Sequence, residues 1–190
     1  SGAERRAEEL IRSLAGDTVI ETRVDALGNL IARRPGAAPP SDAGAAPRVM
    51  IAAHMDEIGL IVTRVEQGFL HVAKVGGVDP RAALGQEVTV YPTGPGADAY
   101  PDGLPGYVGS RPPHLLSEAE RKKVIPFGDL RVDLGRPPQF FAGGIVRVGD
   151  RVALRGPHTE LLGGRLATKA LDNRASVAVM LGALGYLAAM

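Results

Sequence analysis

Val49-Met50-Ile51-Ala52-Ala53-His54-Met55-Asp56-Glu57-Ile58-Gly59 runs from an apolar stretch straight into an imidazole and two carboxylates. The apolar part predicts a buried strand, and the polar part predicts its arrival at the surface. In open α/β sheets, ligands gather beyond the carboxyl ends of the strands. A His followed two positions later by an Asp can offer one ring nitrogen to a cation. The carboxylate then holds the other nitrogen and fixes the tautomer. By itself the stretch is a common pattern, because a lone His at a strand end is as readily a surface group.

Support comes from Ala170-Leu171-Asp172-Asn173-Arg174, a carboxylate placed just before the apolar stretch 175–190. An Asp there also suits a helix start, where it accepts backbone N–H bonds and faces the positive end of the helix dipole. The residues alone therefore leave cap and metal ligand both open. Upstream stands Asp25-Ala26-Leu27-Gly28-Asn29-Leu30-Ile31-Ala32. Between the two motifs lie Val75-Gly76-Gly77-Val78-Asp79-Pro80-Arg81 and Arg111-Pro112-Pro113-His114-Leu115.

Taken together, in this order and at about this spacing, these segments resemble the M42 family of metallo-aminopeptidases, with the chain corresponding to the N-terminal half. The resemblance implies an α/β, zinc-exopeptidase-like catalytic domain with an inserted β-barrel-like dimerisation domain. On that reading residues 1–61 begin the catalytic domain, 62–165 form the insert and 166–190 return to the catalytic domain. It also implies two zinc or cobalt ions that activate a water against the first peptide bond of a peptide substrate, with a Glu as general base. His54 and Asp172 become the metal ligands, Asp172 as the carboxylate that bridges two ions. Asp56 becomes the catalytic-site residue that sharpens the basicity of His54. Two divalent ions about 4 Å apart repel and need an anion between them, which gives the bridging role its chemistry. Family members assemble as dimers and, from these, as hollow dodecamers.

Length and composition set the outer bounds. The 190 residues are 45% apolar and 23% charged, ordinary for a globular chain of one or two domains. A net charge of +1, with scattered Lys and Arg and no interleaved aromatics, offers no footprint for nucleic acid. The absence of Cys removes disulfides and thiolate ligands, so a metal would rest on His, Asp and Glu. The first residues carry no signal-peptide core, and no apolar run reaches the roughly 18 residues of a membrane span. We expect a cytoplasmic protein without membrane partners.

Along the chain, Ala3, Ala7, Leu10, Ile11 and Leu14 form one stripe of an amphipathic helix. Strands are expected at 18–24 and 29–33 around Gly28, and the Pro-, Gly- and Ala-rich segment 35–47 reads as an exposed loop. From Ile58 to about Leu166 the texture becomes short β runs: 59–65, 69–75, 87–91, 107–110, 130–134 and 151–154. Such spacing points to a barrel or sandwich. Segments 92–105 and 117–127 read as loops of that domain, the second with a short polar helical patch. Ala175 to Met190 reads as a helix buried all round, and its open apolar end, with the abrupt start at Ser1, suggests a fragment of a longer protein.

The remaining candidates are weaker. His114 is expected to be structural, and His71 and His158 to be satisfied surface or edge groups. Arg174 is expected to pair with a nearby carboxylate and receives no catalytic role. Gly76-Gly77 with Asp79-Pro80 signals a turn rather than a phosphate cradle. The sequence holds no Glu or His after Asp172, where the family has its general base and further ligands. A catalytic zinc wants about three protein ligands and a water. Two readings of different class therefore stand: an aminopeptidase complete only with further chain, or a non-catalytic assembly module built on the β domain.

Overall fold

The computed structural model describes residues 2–15, 21–35 and 48–188. In chain order these form α1 (Gly2–Ala15), β1 (Glu21–Val24), β2 (Leu30–Arg33), β3 (Gly59–Glu66), β4 (Phe69–Val75), α2 (Pro80–Ala83), β5 (Glu87–Tyr91) and β6 (Leu104–Gly109). They continue with α3 (Glu118–Arg121), β7 (Arg131–Asp133), α4 (Pro138–Phe141), β8 (Arg151–Leu154), β9 (Thr159–Leu161), β10 (Arg165–Ala167) and α5 (Leu171–Ala188). Contacts divide the chain into two compact units, Ser1–Glu57 with Ala170–Met190, and Ile58–Lys169. The second unit includes all of β3 and the β9–β10 hairpin, so it spans 58–169 against the 62–165 expected from texture.

The second unit is a closed six-stranded barrel in the order β3-β4-β7-β6-β5-β8. Its strands alternate because every other side chain faces the interior. Leu60, Val62, Leu70, Val72, Val88, Val90, Leu104, Val108, Val132 and Val152 fill it and are all buried. At roughly 1.5–3 kcal/mol per buried Val or Leu, this row supplies the main drive for closure. Closure also leaves no unpaired barrel edge. The β3–β4 ladder contains a bulge between Val62 and Arg64 and ends at the pair Glu66↔Phe69. Gln67 and Gly68 between them have φ of 51° and 87°, the two-residue turn whose twist suits a hairpin.

One buried polar group lies inside this unit. Asp150 is 1% exposed. Its carboxylate accepts from the Thr93 hydroxyl at 2.6 Å, from the Arg147 N–H at 2.7 Å and from the Thr93 N–H at 3.3 Å. The adjoining backbone, through Val62 N–H to the Asp150 carbonyl (2.9 Å) and Gly149 N–H to the Val62 carbonyl (2.8 Å), extends the β3–β8 seam beyond Leu60↔Val152 and Ile61↔Arg151. The β runs expected at 69–75, 87–91 and 151–154 match β4, β5 and β8. Strand β6 begins at Leu104, inside the segment 92–105 read as a loop. The polar helical patch in 117–127 is α3, closed by a reciprocal cap between Ser117 and Glu120.

In the first unit, α1 packs against α5, with Ala7 and Ile11 buried. Leu10 borders that face at 39% exposure, and the side chains of Ala3 and Leu14 lie outside the described residues. Strands β1 and β2 pair antiparallel around a loop organised by Asp25, whose carboxylate accepts from Leu27 N–H (3.0 Å), Asn29 N–H (2.9 Å) and the Asn29 amide (2.9 Å). The expected strand residues 18–20, the expected loop residues 36–47 and the last two residues of the expected helix lie outside the described residues.

Two expectations for this unit are corrected. Residues 48–58 carry no strand, and Val49, Met50 and Ile51 are exposed. A strand exists through its ladder partners, and the β1–β2 pair, the strands described in this unit, satisfy only each other. Helix α5 is not buried all round: Val179 is 71% and Tyr186 72% exposed. Its described helical neighbour is α1, and a single helix covers a single stripe.

Candidate metal centre

His54 lies in the stretch 48–58 that has no regular structure, and Asp172 lies near the start of α5. The fold brings them together although they are far apart in sequence. His54 Nε2 stands 3.4 Å from Asp172 Oδ1, and His54 Nδ1 stands 3.1 Å from Asp56 Oδ1. One imidazole is thus bracketed by two carboxylates. With Nδ1–H donating to Asp56, the Nε2 lone pair faces Asp172, the tautomer that a cation ligand requires.

Local backbone geometry sets Asp172 in place. Helix α5 is interrupted at its start, with Asp172 at φ −90°, ψ 98° and Asn173 at φ −125°, ψ 29°. The peptide between them is cis, and Ala170 before them has φ 63°. The Arg174 N–H reaches back to the Ala170 carbonyl at 3.2 Å and closes a turn over Leu171, Asp172 and Asn173. Asp172 is not acting as an N-cap: among the described residues its contact is the His54 ring. The Arg174 side chain does not seek a carboxylate, as the sequence suggested. Its Nε–H donates to the Met55 carbonyl at 2.9 Å.

The trio is open to solvent, with side-chain exposures of 54% for His54, 87% for Asp56 and 97% for Asp172. Exposed ion pairs contribute about 0–1 kcal/mol, so stability is a poor reason for this arrangement. Chemically, a neutral imidazole nitrogen beside a carboxylate oxygen is a donor pair for zinc, cobalt or manganese. Among the described residues no group of three or more His, Asp or Glu gathers as a cation cage. The donors present therefore fit part of a metal site.

The other histidines stand elsewhere. His71 is on β4 between buried Leu70 and Val72, with Nε2 3.0 Å from Glu66 Oε2 and the Arg64 guanidinium 3.1 Å from the ring. His114 lies in a one-turn 3₁₀ segment, and His158 is exposed between β8 and β9. Missed by the sequence reading were Arg174 as a tie to Met55 and Asp150 as a buried carboxylate: the Arg174 acceptor is distant in the chain, and Asp150 joins a local bond from the Arg147 N–H to a distant one from Thr93.

Comparison with known proteins adds an independent line. Residues 28–190 match the family model described as M42 glutamyl aminopeptidase. A putative aminopeptidase of Acetivibrio thermocellus is 33% identical over 188 residues, covering 98% of this chain and 50% of the relative. The lysyl aminopeptidase of Pyrococcus furiosus is 34% identical over 182 residues, covering 94% of this chain and 48% of the relative. Among solved structures, a Pyrococcus horikoshii TET1 peptidase, described as assembling into a tetrahedron or a large octahedral shell, superposes with a TM-score of 0.73 at 34% identity. That match covers 96% of this chain and 50% of the other. The chain spans about half the length of the curated relatives it matches.

Proposed function

The chain belongs to the M42 glutamyl aminopeptidase family, and from that membership we propose that it is the metal-binding and barrel-bearing part of a dinuclear-metal aminopeptidase. The observation that carries the reading is the His54–Asp172 pair, with Asp56 behind the imidazole. His54 would hold an ion through Nε2, Asp172 would supply a carboxylate to the ion pair, and Asp56 would hold Nδ1–H so that the ring keeps its aim. When bound, zinc or cobalt supplies an acidified water and polarises the scissile carbonyl. Peptides with a free N-terminus are the substrates. The zinc-exopeptidase-like character of the first unit, a cytoplasmic setting and self-assembly through the barrel belong to the same reading; assembly is supported by the shells described for the Pyrococcus horikoshii relative.

Calorimetric titration with zinc or cobalt ions tests it. We expect binding by the 190-residue chain that His54→Ala and Asp172→Ala each weaken at least tenfold, with Asp56→Ala weakening it less. Two donors fall short of a catalytic zinc site, so this chain is expected to release no p-nitroaniline from aminoacyl-p-nitroanilides. Metal binding indifferent to both His54→Ala and Asp172→Ala would refute the site. Metal-dependent turnover by the purified chain would refute the assignment of the missing ligands to further sequence.

The second reading, an assembly module without catalysis, draws on the closed barrel alone. It is distinguished by self-association that persists with no ion bound at His54 and Asp172.

A further inference from the structure

We propose that Arg174 is the positioning residue of the His54–Asp172 pair, acting through the hydrogen bond from its Nε–H to the Met55 carbonyl rather than through its charge. The geometry comes first. Residues 48–58, which carry His54 and Asp56, have no helical or ladder hydrogen bonds of their own to hold their course. The Met55 carbonyl belongs to the peptide plane that joins the residue after His54 to Asp56. Fixing that plane fixes where the carboxylate partner leaves the backbone and restricts the imidazole one peptide unit before it. The donor that fixes it, at 2.9 Å, comes from Arg174.

The same residue holds the other side of the site. Its backbone N–H, bonded to the Ala170 carbonyl at 3.2 Å, closes the turn that contains Asp172. One residue is therefore anchored by its main chain to the Asp172 turn and by its side chain to the His54 segment. The 3.4 Å approach of Nε2 to Oδ1 lies between these two anchors. The side chains of His54 and Asp172 cannot provide that alignment themselves, because both are largely in water, where their mutual attraction is weak. A backbone carbonyl accepting from a guanidinium is a stronger and more directional tie.

The consequence for ion binding rests on the metal reading given above, whereas the positioning itself does not. Substituting groups that orient ligands usually costs 10–100-fold in metal affinity. The choice of replacement separates hydrogen bond from charge. Gln carries its amide nitrogen as many bonds from Cα as Arg carries Nε, so Arg174→Gln keeps a donor at that place without charge. Arg174→Lys keeps the charge but puts a methylene there. Arg174→Met keeps neither.

The experiment measures cobalt affinity by calorimetry and visible absorption, together with the His54 ring signals in long-range nitrogen–proton spectra of the ion-free protein. We expect Arg174→Gln to stay within about threefold of the parent, with the parent's His54 signals. Arg174→Lys and Arg174→Met should lose 10–100-fold in affinity with displaced His54 signals. Lys matching or exceeding Gln would overturn the inference in favour of charge. Equal affinities and unchanged ring signals in all three variants would overturn it outright. If the parent binds no cobalt, the metal reading fails, and the positioning role is decided by the ring signals alone: displaced in Lys and Met but not Gln supports it, and identical spectra reject it.

Discussion

Replacing Asp150 tests whether the barrel seam depends on a buried carboxylate's hydrogen bonds or only on apolar filling. Asp150 is 1% exposed and accepts from two backbone N–H groups and one hydroxyl. In Asp150→Ala these part-buried donors lose their acceptor. Each buried donor left unpaired costs about 1–3 kcal/mol. The Thr93 N–H bond is long at 3.3 Å, so the short bonds at 2.6 and 2.7 Å dominate. Both short bonds are part-buried, which puts the loss at the lower end of that range, about 2–3 kcal/mol and a sizeable part of the stability of a domain this size. In Asp150→Asn the amide oxygen can take both N–H bonds, and the amide nitrogen can donate to a rotated Thr93 hydroxyl, limiting the loss to about 1 kcal/mol. Urea unfolding of the full chain, followed by circular dichroism at pH 7, gives both values. An Ala variant within about 1 kcal/mol of the parent, or an Asn variant as damaged as Ala, would refute the reasoning.

Acid should weaken the protein through two surface carboxylates. Glu120 is held down to about 2 by the Ser117 hydroxyl, then by the Ser117 N–H and Arg111, and Asp79 to about 2 by the Arg81 side chain and N–H. Both pKa values are depressed on folding, so their contribution is complete above the ordinary carboxylate range and drains away as pH falls from there towards about 2; urea midpoints of the parent and Glu120→Gln should converge over that window, and a constant gap would contradict it. Gly94→Ala should unfold or severely destabilise the barrel, because a Cβ there would run into the Gly144 and Ile145 carbonyls, which thermal melting will show. Light scattering at micromolar concentration should report at least a dimer, given Val179 and Tyr186 at 71% and 72% exposure on α5; a monodisperse monomer would rule association out.

How far the sequence could be read depended on what each residue answers to. Strands β4, β5 and β8 announce themselves because a barrel interior demands alternation, and buried residues alternate with more exposed ones along most of their length. The run expected at 107–110 overlaps β6, but the strand's first residues hid behind Pro105, which sits opposite Thr89 in the ladder where a proline usually argues against a strand. The β9–β10 hairpin was invisible for a simpler reason: all six of its strand residues are exposed, so burial wrote no pattern into them. The apolar course of 49–52 and of α5 misled in the opposite direction. Composition reports a preference for burial, whereas burial itself depends on neighbours. Of the candidate site, His54 and Asp172 were legible through family resemblance and not through spacing, and the geometry that joins them required the fold. Arg174 escaped because its acceptor is a carbonyl, and main-chain acceptors leave no trace in residue identity.

The barrel's first and last strands, β3 and β8, are hydrogen-bonded neighbours running in opposite directions. The chain therefore enters and leaves the barrel at one doorway. Loop-closure entropy grows with the logarithm of loop length, so joining the flanks across the roughly 110 residues of Ile58–Lys169 would be dearer than joining them across a short connection. Once β3 has found β8, the flanks experience only the short stubs beyond the doorway, a saving of about 1–2 kcal/mol. A module with such adjacent ends can be inserted into, or removed from, a host with little strain on either. It follows that a Gly-Ser bridge in place of the barrel, from Glu57 to Arg155, should leave the flanking chain free to follow its own course, and that residues 58–154 expressed alone should still close on themselves.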